Sequence, residues 1–169
     1  MPKGGCACGN VRLNYTGEPS AKVCSVLVHT VVSTCRVTQN GVLTHAPLPQ
    51  ALCHCTDCKK ITGSAYSTNL VIPSEGFEVT SGKPKSWAKK ADSGETINTF
   101  FCGDCGTTMW RETPTFGDNK AFKVGVLDTL GGFNDAKPDL ELYAPQRASW
   151  LQPVAGAKQL KGMPGSEEV

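Results

Sequence analysis

No stretch of this sequence approaches the roughly 18 consecutive apolar residues of a membrane-spanning helix, so no membrane partner is expected. The opening residues, Met1-Pro2-Lys3-Gly4-Gly5-Cys6, lack the apolar core of a secretory leader, and a cytoplasmic location follows as the expectation. Lys/Arg blocks interleaved with aromatics are missing, which argues against a nucleic-acid partner. Helical periodicity is also missing beyond two turns. The sharpest shortage is local: from Val23 to Gln50 there is no Asp or Glu, and Arg36 carries the one formal charge. Such a stretch makes a poor solvent-facing loop and a good aggregation hazard.

What remains is a pattern of short strands. The 169 residues suffice for one domain with a real core. Asn10–Thr16 alternates and stops at Gly17, which turns Val11, Leu13 and Tyr15 inward. Ala65–Ile72 reads as a strand ended by Pro73, and Phe77–Gly82 as another. Thr96–Phe101 runs into Cys102, Gly106–Glu112 leaves Cys105, and Ala121–Leu127 alternates into Asp128. Lys59–Ser64 reads as a helical turn stopped by Gly63. Val23–Val37 has strand propensity, with a turn at Gln39-Asn40-Gly41, before Pro47 and Pro49 break regular structure. Prolines 138, 145, 153 and 164 predict irregular chain laid over the domain. The expected fold class is mainly β, with one domain over 1–155, an atypical insert at 22–50 and a flexible tail at 156–169.

Nine cysteines in a chain without an export signal favour metal thiolates over disulfides. Seven of them fall in metal spacing: Cys6-x-Cys8, Cys53-His54-Cys55-x-x-Cys58 and Cys102-x-x-Cys105. The two outer pairs together make a complete four-sulfur site, which would tie an early strand to a late one. A redox Cys-x-x-Cys is the competing reading of Cys102 and Cys105, but it leaves Cys6 and Cys8 unexplained. The central three cysteines leave one ligand position unfilled, as in reactive rather than structural zinc. Two zinc ions per chain, one structural and one catalytic, are therefore expected. Seven thiolates around two divalent ions would turn the formal net charge of +2 into about −1, removing any hint of a polyanion partner.

His54 lies between two ligands, and its readings are metal ligand, proton shuttle or plain packing. Cys24, Cys35, His29 and His45 are candidates to fill the vacant position. Lys59, Lys60, Thr62 and Ser64, with Asp57, are polar groups near the triad that could line a pocket for a charged thiol. Solvated surface is the bland reading of each.

At Gly5-Cys6-x-Cys8-Gly9, Cys53-His54-Cys55-x-x-Cys58, Thr62-Gly63-Ser64 and Phe101-Cys102-x-x-Cys105-Gly106, the sequence resembles the glutathione-dependent formaldehyde-activating enzymes, a family that includes centromere protein V. The resemblance spans about residues 4–20 and 51–150. It implies a β-tent fold of small antiparallel sheets with two zinc sites. Cys6, Cys8, Cys102 and Cys105 match the structural site. Cys53, Cys55 and Cys58 match the catalytic one, where a glutathione sulfur approaches zinc. The implied activity is that of a carbon–sulfur lyase, joining glutathione and formaldehyde to S-hydroxymethylglutathione or the reverse. The competing reading is a non-catalytic zinc scaffold that binds protein, with a thiol-transfer or chaperone role third. The departure from the family is residues 22–50, read either as a lid beside the metal or, preferably, as translated intron sequence. Oligomeric state is not legible.

Overall fold

The sequence alternation of Val11, Leu13 and Tyr15 is realised as the buried side of a small hairpin. The computed structural model describes residues 3–15, 36–37, 43–44, 50–91, 94–128 and 137–169. Strand β1 (Lys3–Gly5) turns through Cys6–Val11 into β2 (Arg12–Tyr15). A two-residue ladder follows, β3 (Arg36–Val37) against β4 (Leu43–Thr44). Then come β5 (Gln50–Cys53), helix α1 (Thr56–Thr62), β6 (Ser67–Pro73) and β7 (Phe77–Ser81). The hairpin β8 (Lys85–Lys90) and β9 (Thr96–Phe101) leads to β10 (Thr108–Glu112) and β11 (Asn119–Lys123). Strands β12 (Leu140–Leu142) and β13 (Lys158–Gln159) complete the order.

These strands form a three-stranded sheet, β1-β2-β7, and an eight-stranded one, β13-β12-β5-β6-β11-β10-β9-β8. The mainly β class is as expected. The expected antiparallel pairings make up most of the ladders, and β12 adds parallel pairings with both β5 and β13. The two faces of the large sheet have different chemistry. One carries Leu70, Ile72, Trp110 and Phe122 and packs on Leu13, Tyr15 and Phe77 of the small sheet. Trp110 stacks on Phe100 at 4.6 Å and meets Phe77 edge-on at 5.0 Å. The other face takes the alternate residues of the same strands, as the two-residue period of a strand requires: Ser67, Asn69, Arg111 and Lys123. These are polar, yet buried. Residue pairing sets Asn69 opposite Lys123 and Arg111 opposite Thr99 on that face.

Strands β5, β8, β12 and β13 are absent from the sequence expectation. All six residues of β8 are exposed at the sheet edge, so its sequence has no in–out alternation to read. Its lysines suit an edge that must not pair with another chain. The Pro-rich approach concealed β5, and β12 is only three residues long. The predicted flexible tail is also different here: Leu160 is buried, β13 joins the sheet, and the Val169 amide donates to the Gln159 carbonyl at 2.9 Å. Leu160 and Met163 pack around the central cysteines with Leu142. The expected strand over 23–37 and turn at 39–41 lie outside the described residues except for 36–37.

Candidate metal centre

Two sulfur clusters form, and they are the two expected from the spacing. Cys6, Cys8, Cys102 and Cys105 bring their sulfurs within 4.8 Å of one another, as do Cys53, Cys55 and Cys58. The four-sulfur cluster sits where two turns meet. In the first, Cys6 accepts an amide hydrogen bond from Val11 at its sulfur (3.2 Å), and Gly9 donates to the Cys6 carbonyl. In the second, Gly106 donates to the Cys102 carbonyl. Gly9 and Gly106 both have positive φ (80° and 74°), which a side chain would strain. Ala7 N–H donates to Thr107 Oγ1 and Asn10 Nδ2 to Asp104 Oδ2, locking the turns together. Sulfur separations of 3.4 Å (Cys6–Cys8) and 3.8 Å (Cys8–Cys102) bracket the edge of about 3.8 Å that a tetrahedral centre with bonds of about 2.3 Å requires. The donor set and spacing fit a metal ion. The Thr107 hydroxyl and amide lower the Cys105 thiol to about 5, whereas Cys8, despite an amide from Asn10, is raised to about 12 by sharing hydrogen bonds with Cys6.

The triad is built by one strand end and one helix start. Cys53 ends β5, and Cys55 caps α1, its sulfur accepting from the Cys58 amide at 3.4 Å. Gly63, in the left-handed conformation, ends the helix as expected. Cys53 and Cys58 are buried; Cys55 is half-buried. Hydrogen bonds from Cys53 and Cys55 depress the Cys58 thiol strongly, with help from the Lys123 charge and Ser67. The same contacts, with burial, drive Cys53 strongly upward. Sulfurs contending for charge in this way suit a shared cation. Among the described residues no fourth Cys, His, Asp or Glu joins the triad. Cys24, Cys35, His29 and His45 lie outside the described residues.

His54, 1% exposed, is not among the clustered ligands. Its Nε2–H donates to Glu141 Oε2 at 2.8 Å, its ring meets Tyr66 edge-on, and Nδ1 is buried without a partner. Glu141 also accepts from Arg147 Nη1 (2.8 Å) and from the Val154 amide. Burial opposes its ionisation, but these donors and Gln159 outweigh it and lower the carboxyl to about 2. Lys59 donates to the Gln146 carbonyl at 2.6 Å, and the Thr62 hydroxyl to the Cys58 carbonyl at 2.8 Å. Lys60 and Ser64 are exposed. These four residues flank the triad along the chain but show no contact with its sulfurs.

The sequence reading missed Glu141, Arg147, Arg111 and Lys123. Arg111 Nη1 lies 3.9 Å from Cys58 Sγ, and Lys123 Nζ donates to Asn69 Oδ1 at 2.6 Å. Burial pushes Lys123 down, while the charge of Cys58 pulls it back up. A signal existed: Phe122-Lys123-Val124 and Leu140-Glu141-Leu142 each set one charge inside an apolar run.

Fold and site together define a mainly β protein that carries, among the described residues, one four-cysteine and one three-cysteine cluster, each able to hold a metal ion. The family model "Glutathione-dependent formaldehyde-activating enzyme" matches residues 29–146, and the chain belongs to that family. The match takes in the triad, Cys102 and Cys105, and starts after Cys6 and Cys8. Among solved structures, a crystal structure of a Rhodobacter sphaeroides protein is 13% identical. It aligns with a TM-score of 0.51 over 80% of this chain and 96% of that one, a likeness of fold. No helix among the described residues is long and apolar enough to cross a membrane.

Proposed function

We propose that this chain is a zinc-dependent carbon–sulfur lyase acting on a thiol–aldehyde adduct, with glutathione and formaldehyde as the leading substrates. The observation that carries the reading is the mostly buried three-sulfur triad with no fourth ligand among the described residues, beside a four-sulfur cluster that is complete. One zinc in each cluster gives two per chain. When bound at the triad, zinc supplies a position that keeps a fourth sulfur ionised at neutral pH.

The chain's residues then have definable tasks. Cys53, Cys55 and Cys58 present the soft donor set, and β12 with Leu160 walls it from water. The substrate thiolate adds to the carbonyl carbon, forming the S–C bond. The C=O electron pair moves to oxygen, which takes a proton to give the hydroxymethyl adduct. The reverse step breaks S–C and returns the proton. We assign the carrying of that proton to His54 Nδ1, which is unprotonated when Nε2–H donates to Glu141. It takes the proton of the substrate thiol and passes it to the oxygen, with Glu141 as the positioning residue that fixes the tautomer. Lys60, exposed on α1, is available to a substrate carboxylate, as is Ser64 just beyond the helix. Lys59 and Thr62 would have to exchange their present backbone partners first.

The test is exchange spectroscopy of formaldehyde and glutathione with zinc-loaded protein. Formation of the adduct should exceed the uncatalysed rate, and the excess should vanish in Cys55→Ala. A rate equal to buffer, with two zincs bound, would remove the lyase reading.

A further inference from the structure

Buried cations without a counter-ion are costly, so a pair of them beside a thiolate cluster calls for an explanation. Arg111 (8% exposed) and Lys123 (6%) come from adjacent strands on the triad face of the large sheet. Arg111 Nη1 is 3.9 Å from Cys58 Sγ, and its Nε and Nη2 are buried without hydrogen-bond partners. Lys123 Nζ rests on the neutral Asn69 amide oxygen. Among the described residues neither is ion-paired to a carboxylate. Glu141, the one buried carboxylate among the described residues, is committed to His54 and Arg147.

The charges can be followed through. A divalent ion with three thiolates is one unit negative, which Arg111 offsets. Lys123 then leaves the buried assembly one unit positive. A water in the fourth position leaves that excess, whereas a thiolate cancels it. The four-cysteine cluster is the control within the molecule: it has exposed cysteines at Cys8 and Cys105, and among the described residues no buried cation remains to be assigned to it.

We infer that Arg111 and Lys123 are the charge pair that makes the triad centre select an anionic sulfur, rather than a neutral donor, as its fourth ligand, with Lys123 the deciding residue. The inference rests on the thiol-adduct reading and adds the residues that set its selectivity.

The experiment is titration of the cobalt(II)-loaded protein with 2-mercaptoethanol, a thiol with no other charge, and separately with imidazole, a neutral donor. Sulfur-to-cobalt absorption and ligand-field bands report binding, independent of turnover. The unaltered protein should bind the thiol more tightly than imidazole. Lys123→Met should weaken the thiol on the order of tenfold to a hundredfold and leave imidazole unchanged, with Lys123→Arg restoring affinity. If the unaltered protein holds both cobalt ions and binds no thiol, the lyase reading falls and the inference with it. If thiol binds equally well with and without the Lys123 charge, charge selection falls and the lyase reading stands. If Lys123→Met does not fold, the comparison of thiol with imidazole on the unaltered protein decides, and equal affinity overturns the inference.

Discussion

Replacing Glu141 by Gln keeps the side-chain shape and removes the charge on which His54, Arg147 and the Val154 amide converge. The magnitude follows from the ionisation. The carboxyl stands at about 2 against an ordinary 4.5, and at 1.36 kcal/mol per tenfold this is worth about 3 kcal/mol. Breaking a buried ion pair gives a similar figure, about 3–5 kcal/mol. The sign is fixed by the direction: a carboxyl depressed in the folded state contributes its full stability above the unfolded value. That contribution is lost as pH falls from 4.5 towards 2. Urea unfolding of the metal-loaded proteins should therefore show a gap of about 3 kcal/mol between unaltered and Glu141→Gln protein at neutral pH. The gap should stay constant down to about pH 5 and close below it. A gap under about 1 kcal/mol at neutral pH, or one that widens on acidification, would refute the reasoning.

Three further outcomes are expected. Cys58→Ala should leave the protein folded with one of two zincs, whereas Cys102→Ala should impair folding; circular dichroism with metal analysis separates them, and equal unfolding would contradict the division. Removing residues 157–169 strips Leu160 and Met163 from the triad wall and should cost about 2–5 kcal/mol. In a dialysis assay that truncation should release the triad metal before the other one, and retention of both equally would argue against the wall. Phe122→Ala, on the opposite sheet face, should cost about 3–5 kcal/mol in thermal unfolding. Metal content should remain two in that variant, and loss of the triad metal would show the faces are not independent.

The clusters were legible because ligand spacing is local: Cys53, Cys55 and Cys58 meet around one helix start, and each outer pair sits on its own turn. Strands with alternating burial, such as β2, were legible for the same reason. What sets the triad's surroundings is non-local. His54 meets Glu141 across 87 positions, and Arg111 meets Cys58 across 53, so nothing in the neighbourhood of either motif announces the partner. The prolines marked irregular chain laid over the domain, but nothing in them told that residues 156–169 dock as well. Leu160 does so through a strand only two residues long.

The central claim is that the triad has a coordination position reserved for a substrate sulfur. X-ray absorption at the zinc edge, with and without glutathione, tests it most directly. Two zincs on seven cysteine sulfurs average three and a half sulfurs per metal. The account predicts a rise to four on adding glutathione, with loss of the oxygen or nitrogen contribution. An unchanged spectrum, or four sulfurs per zinc before glutathione is added, would contradict it.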